Sequence, residues 1–159
     1  MDPRSPKDSQ TELSSFMHPE DANSQGNVHG GSIMKLVDEA GALAAMRHSR
    51  RPCVTVAIDS MTFDAPMLVG DLVVLEACVT YVGRTSIEAM VTVYAEKILT
   101  GERMLTNTAF VVYVALDDQR RPTEVAPLLL VSEQEKRRFD QGRARQQERL
   151  ARARRDKES

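Results

Sequence analysis

The sequence lacks tryptophan altogether, which by itself excludes nothing, but its other shortages are informative. No apolar run is long enough to span a bilayer, and the N-terminus, MDPRSPKDSQ, has no apolar stretch of the kind a secretory leader needs. A cytoplasmic protein with no membrane partner is therefore expected. There are two cysteines, Cys53 and Cys78, without the spacing of a disulfide framework, and both fall in predicted strands. They read as reduced, buried small hydrophobes. The three histidines show no pairing at metal-ligand spacing, so no metal is expected. The net charge of −2 excludes no class, but it is unevenly placed: residues 132–159 carry an excess of four positive charges over a more acidic body. That basic segment has neither interleaved aromatics nor a DNA-reading motif, which argues against nucleic acid as a partner.

What the chain has is one stretch around which the rest can be organised, Asp21–His48. It opens polar and glycine-rich, then runs through Ile33, Met34, Leu36, Val37, Ala40, Ala42, Leu43, Ala44, Ala45 and Met46 without a proline. A helix of about 16–18 residues is predicted there, apolar on nearly every side and mostly buried. Asp38 sits about two turns inside it. A buried carboxylate needs a partner or a job. Lys35 could pair with it, or with Glu39 on the next face, which would make Asp38 an ordinary surface acid. Otherwise it is a catalytic carboxylate aimed into a cleft.

The helix entrance could supply the other half of a site. The first N–H groups of a helix lack internal partners and carry partial positive charge. Gly30 and Gly31 would let a ligand approach that backbone closely, so an oxygen turning negative in a reaction could be held there. Asn27 could add a side-chain amide, or could simply cap the helix. His29 reads better as a local hydrogen-bonding group than as a base.

In chain order, residues 1–10 are expected to be a disordered tail. Thr11–His18 is a short strand ended by Pro19, and the helix follows. The period then changes from helical to alternating. Val54, Val56 and Ile58 alternate with Thr55 and Asp59, with an irregularity near Ser60. Strands are predicted over Leu72–Val82, Ser86–Ile98 and Met104–Leu116, with a tight turn at Gly83-Arg84. In the first of these, Val73, Leu75, Ala77, Val79 and Tyr81 share a face. The last is apolar on both faces, which suggests a central or interface position. Meander connections imply an antiparallel sheet, and one buried helix is available to cover it. The economical fold is α+β: a curved antiparallel sheet wrapped around one long central helix, too poorly shielded to stay monomeric. After Pro122–Leu130, an extended segment, Ser132 and Glu135 form a capping box that begins a charged C-terminal helix, read as solvated and partly frayed. The divisions are thus 1–10, 11–130 and 131–159.

The segments DANSQGNVHGGSIMKLVDEAG, VTVAIDSMTF, PMLVGD and VGRTS, in this order and spacing, resemble the hotdog-fold acyl-CoA thioesterases, and more narrowly the cytosolic acyl-CoA hydrolases. The resemblance spans about Met17 to Leu128. It implies a hotdog fold and hydrolysis of acyl-CoA to fatty acid and CoA, with CoA a part of the substrate and no separate cofactor. It implies that Asp38 is the catalytic acid, as general base or as nucleophile. Asn27 and the backbone of Gly30 and Gly31 would be the polarising elements, with His29 beside them. Arg84, Thr85 and Ser86 would lie near the CoA nucleotide, although Gly83-Arg84 is equally readable as a plain hairpin. It further implies sites shared between paired subunits and dimers assembled as a trimer of dimers. Two other hotdog functions stay open on the residues alone: an acyl-CoA-binding sensor without hydrolysis, and an enoyl-CoA hydratase.

Overall fold

The computed structural model describes residues 1–159. Five antiparallel strands form one sheet in the order β1-β3-β4-β5-β2. They are β1 (Thr11–Phe16), β2 (Cys53–Phe63), β3 (Leu72–Val82), β4 (Ser86–Glu96) and β5 (Arg103–Ala115). The helix α1 (Gly30–Ser49) connects β1 to β2, which form the two edges of the sheet. It lies against the inner face. Ile33, Val37, Ala40, Ala44 and Ala45 of α1 join Val73, Leu75, Ala77 and Val79 of β3, Ile87, Ala89, Val91 and Val93 of β4, and Ala109, Val111 and Tyr113 of β5 in one core. This is the wrapped-helix arrangement that the run of strands implied.

Helix α1 has 20 residues and begins earlier than its apolar run. His29 is the N-cap, so Gly30 and Gly31 are its first residues rather than a loop before it. Nor is it buried all round, because Met34 and Leu43 are exposed on its two opposite flanks. Both cysteines are half-buried and unpaired.

Irregular strands correct the predicted faces. The register of β3 against β4 shifts between Val79 and Tyr81. A residue added on one side of a ladder reverses the alternation beyond it. Tyr81 therefore turns outward and Val82 takes its place in the core. In β2 there are two shifts, between Thr55 and Ala57 and between Ile58 and Ser60. Val56 and Asp59 are the extra residues. Thr55, Ile58 and Met61 stand opposite the core-facing Tyr113, Val111 and Ala109 of β5, so Thr55 and Ile58 share the inner face instead of alternating.

The second correction is at the two ends of the chain. The C-terminal helix α2 (Glu133–Glu158) is not a frayed, solvated rod. It crosses the outer face of the sheet, where Phe139 packs on Tyr81 at 5.0 Å between ring centroids. Arg145 makes a two-pronged pair with the buried Glu88 of β4, at 2.8 and 2.9 Å, and lies over the Phe110 ring. Arg149 meets Asp59 at 2.6 Å. The second apolar face of β5 is thereby covered. The N-terminal residues are not a disordered tail either. Pro6–Ser9 form a 3-10 helix with Ser9 fully buried, and Arg4 bridges to the Leu128 segment and donates to the His48 carbonyl. No helix is long and apolar enough to cross a membrane.

Candidate active site

The two features singled out in the sequence lie on one helix but apart. Asp38 is eight residues beyond Gly30, which at 1.5 Å per residue puts about 12 Å of helix between them.

At the entrance, the loop before α1 is tied by Asn23. Its Oδ1 accepts from the backbone N–H groups of Gln25 (2.9 Å) and Asn27 (3.2 Å), and its own N–H donates to the Asn27 carbonyl at 2.7 Å. Gly26, at φ +83°, makes the turn between them. Asn27 is not the helix cap. That role belongs to His29, whose Nδ1 accepts from Gly31 N–H at 3.1 Å. The Gly31 donor is therefore already engaged, whereas Gly30 N–H has no partner within the protomer. Asn23, Asn27 and Gly30 line a cavity of about 280 Å³ with Phe63, Asp64 and Asn107. Phe63 lies over Gly30 so closely that a Cβ there would touch its ring at 3.4 Å.

Deeper along α1, the half-buried Asp38 faces β2 and β5. Its Oδ1 accepts from Thr55 Oγ1 at 2.7 Å and from the Tyr113 hydroxyl at 3.3 Å. The same hydroxyl donates to the Asp38 backbone carbonyl at 2.9 Å. Oδ2 has no partner, and Lys35 forms no ion pair with Asp38. Burial, then the Asp38 charge, then its hydrogen bond push the Tyr113 hydroxyl far above the usual tyrosine range, so it stays a donor at any working pH. Thr55, Tyr113 and Asn23 were not picked out as site residues in the sequence. A usable signal existed for Tyr113, a polar-tipped side chain that follows Ala109 and Val111 on the core line of β5.

The remaining expected residues are elsewhere. Arg84, Thr85 and Ser86 lie at the β3–β4 turn, next to Ala115, at the end of the sheet opposite Gly30 and Phe63. Arg84 is exposed, 4.0 Å from Glu124, while Ser86 Oγ donates to Gln146 of α2 at 3.2 Å. No group of His, Cys, Asp and Glu is arranged to hold a metal ion.

Residues 25–102 match the family model of the thioesterase superfamily. A Bacillus subtilis protein described as an uncharacterized acyl-CoA thioester hydrolase is 38% identical over 129 residues, which is 81% of this chain and 75% of that one. The cytosolic acyl coenzyme A thioester hydrolase of Mus musculus is 37% identical over 82% of this chain, and the chain spans only about a third of its length, 35%. Among solved structures, an apo-hexameric acyl-CoA thioesterase superposes with a TM-score of 0.90 at 37% identity, covering 96% of this chain and 98% of the other. The acyl-CoA hydrolase of Staphylococcus aureus, in complex with butyryl coenzyme A, coenzyme A and its disulfide, gives 0.89 at 29% identity over 98% and 94%. That enzyme is also known as alanine variants of one aspartate, one asparagine and one threonine. A helix-wrapping sheet of the same topology, shared over almost the whole chain at this level of identity, leaves one assignment: the chain belongs to the hotdog-fold acyl-CoA thioesterases, a family of thioester hydrolases.

Proposed function

We propose that the protein hydrolyses acyl-CoA to a free carboxylic acid and CoA, with Asp38 as general base. The observation that carries this reading is the asymmetry of the Asp38 carboxylate. One oxygen is held by Thr55 and Tyr113 and the other is left unpartnered. An oxygen so oriented can take a proton from water as that water attacks the thioester carbon. The carbonyl oxygen becomes an oxyanion, for which Gly30 N–H at the positive end of α1 is the available donor. Collapse of the tetrahedral species expels the CoA thiolate, which can leave without a strong acid. The spacing of the replaced asparagine, aspartate and threonine in the Staphylococcus enzyme equals that of Asn23, Asp38 and Thr55 here, which supports these three as a working set. Asn27 lines the same cavity and supplies a second amide for orienting the carbonyl or the water.

The 12 Å between Asp38 and Gly30 is too long for one water and one carbonyl to bridge. The reading therefore needs two protomers. The β2 edge is unpaired on one side and exposes Val54, Val56, Ile58 and Phe63. A second copy added edge to edge would continue the sheet and set the two α1 helices side by side, with the flank that carries Met34 and Asp38 between them. Asp38 of one subunit would then approach Gly30 of the other. Hexameric relatives support a trimer of such dimers. In that assembly Arg84, with Thr85 and Ser86, is the group offered to the CoA phosphates. The mouse relative's description as cytosolic supports a cytoplasmic location.

The test is thiol release from acyl-CoAs, acetyl to palmitoyl, by the wild type and by Asp38→Asn, Asn23→Ala and Asn27→Ala. Removing a general base costs about 10²–10⁴ in rate. The expected result is a loss of that size for Asp38→Asn, in protein that remains folded. Turnover near wild type in that variant would refute the assignment.

A further inference from the structure

The Asp38 site contains a device outside the catalytic set. Tyr113 is 0% exposed, deep in the core, yet its hydroxyl reaches the surface of a helix at Asp38. Packed helices do not normally leave room for this. Room exists because residue 41, one turn beyond Asp38, is glycine. A Cβ at Gly41 would stand 2.4 Å from the Tyr113 oxygen and 3.2 Å from two of its ring carbons. Glycine in a helix interior is unfavourable relative to alanine. In a helix otherwise made of strong helix formers, that cost is offset by the access it gives to the tyrosine hydroxyl.

We infer that Tyr113 is a positioning residue for the reaction. Its hydroxyl, admitted through the gap at Gly41, spans the Asp38 backbone carbonyl and Oδ1, so that the carboxylate is turned with Oδ2 toward the water. This rests on the reading of Asp38 as the base. The phenol has one proton, shared between the carbonyl at 2.9 Å and Oδ1 at 3.3 Å. The shared bond ties the side chain to its own helix backbone, while Thr55 holds the same oxygen from the β2 side. Freed of Tyr113, the carboxylate can turn about χ2 away from the orientation that Thr55 alone holds, and the fraction with an unpartnered oxygen presented to the water falls. The other titratable groups around Asp38 are Cys53 on β2 and, on α1 itself, Lys35 and Glu39. None of them hydrogen-bonds to Asp38. Tyr113 is thus the titratable group whose removal acts on Asp38 directly.

The test compares Tyr113→Phe, Asp38→Asn and the double variant. Tyr113→Phe removes one oxygen and keeps the ring, so the core stays filled. The expected result is a fall in kcat of about 10-fold, the scale of one weak hydrogen bond to a charged group, with KM little changed. In the Asp38→Asn background the tyrosine substitution adds little further loss. Gly41→Ala, which drives the hydroxyl away while keeping it, should reproduce the fall in kcat. If Asp38→Asn is inactive but Tyr113→Phe keeps the kcat of the wild type, the positioning role falls and the base assignment stands. If Asp38→Asn itself is active, the base assignment falls, and this inference with it. A loss in Tyr113→Phe that merely follows the fraction of folded protein, or that is as large in the Asp38→Asn background as in the wild type, would reduce Tyr113 to a packing residue and also overturn the inference.

Discussion

Replacing Arg145 by methionine should destabilise the protein more than any other single change on α2. Arg145 is the partner of Glu88, whose carboxylate lies under α2 with its side chain 3% exposed. Methionine fills similar volume but supplies no charge, so the substitution leaves a carboxylate out of water with only the Thr80 hydroxyl, at 2.7 Å, still donating to it. Breaking one side of a buried pair typically costs about 3–5 kcal/mol. Thr80 and the residual 24% exposure of the Arg145 side chain place this case at the low end, near 3 kcal/mol. The lost stacking on Phe110, 3.7 Å from guanidinium carbon to ring centroid, adds a fraction of that. For a chain of this length the sum corresponds to a fall in Tm of roughly 6–12 °C. Denaturant unfolding at one fixed protein concentration is the assay, since association would otherwise shift the midpoint. Amide exchange of α2 and of the strands beneath it would report whether the helix peels away first. Glu88→Gln should cost less, because the arginine it strands can still reach solvent. Glu88→Gln combined with Arg145→Met should recover most of the loss, because no buried charge remains. A loss below about 1 kcal/mol in Arg145→Met, or a double variant weaker than the single, would refute the account of α2 as clamped by a buried ion pair.

Two further outcomes follow from the same packing. Gly142→Ala, although favourable for an isolated helix by about 1 kcal/mol, should destabilise. Its Cβ would stand 2.6 Å from Tyr81 Cβ and 2.8 Å from Glu88 Oε1, and the outcome is read by the same denaturant titration. His48 is 1% exposed, with Nε2 at 2.7 Å from the Ala126 carbonyl oxygen and Nδ1 without a partner. Burial holds its imidazole below the ordinary value of 6.5. The unfolded chain therefore takes up the proton first as pH falls, so stability present above 6.5 is lost on acidification through that value toward the lowered one. Unfolding at pH 7.5 and 5.5 should show a steeper acid loss in the wild type than in His48→Gln, and equal slopes would refute the assignment.

The order of elements, the antiparallel sheet and the long helix inside it were legible because each rests on a local rule: helical periodicity, then alternation, then turns at Gly70, Gly83 and Gly101. What escaped was held by long-range polar contacts that leave no period. Helix α2 has the composition of a solvated helix, and nothing in its own sequence announces that Arg145 and Arg149 face Glu88 and Asp59 across the sheet. The ordering of residues 1–10 likewise depends on the distant Leu128 segment and His48. Asp38 was visible as an anomaly in an apolar helix, but its partners Thr55 and Tyr113 are 17 and 75 residues away. The entrance was half legible. The motif drew attention to Asn27 and the two glycines, while the structure gives Gly31 N–H to His29 and leaves Gly30 free.

The position of Thr55 shows why an alternating pattern alone could not have produced the site. Read with strict alternation, Val54, Val56 and Ile58 form one face of β2, and Thr55 and Asp59 the other, polar and pointing to solvent. Each added residue in the strand reverses the faces beyond it. With Val56 and Asp59 as the added residues, Thr55 and Ile58 are both inward and the threonine hydroxyl meets Asp38. The second added residue, Asp59, is the one that Arg149 of α2 grips at 2.6 Å. The outer helix thus grips the strand at its second irregularity, in the same strand whose inner face carries the hydroxyl that donates to Asp38.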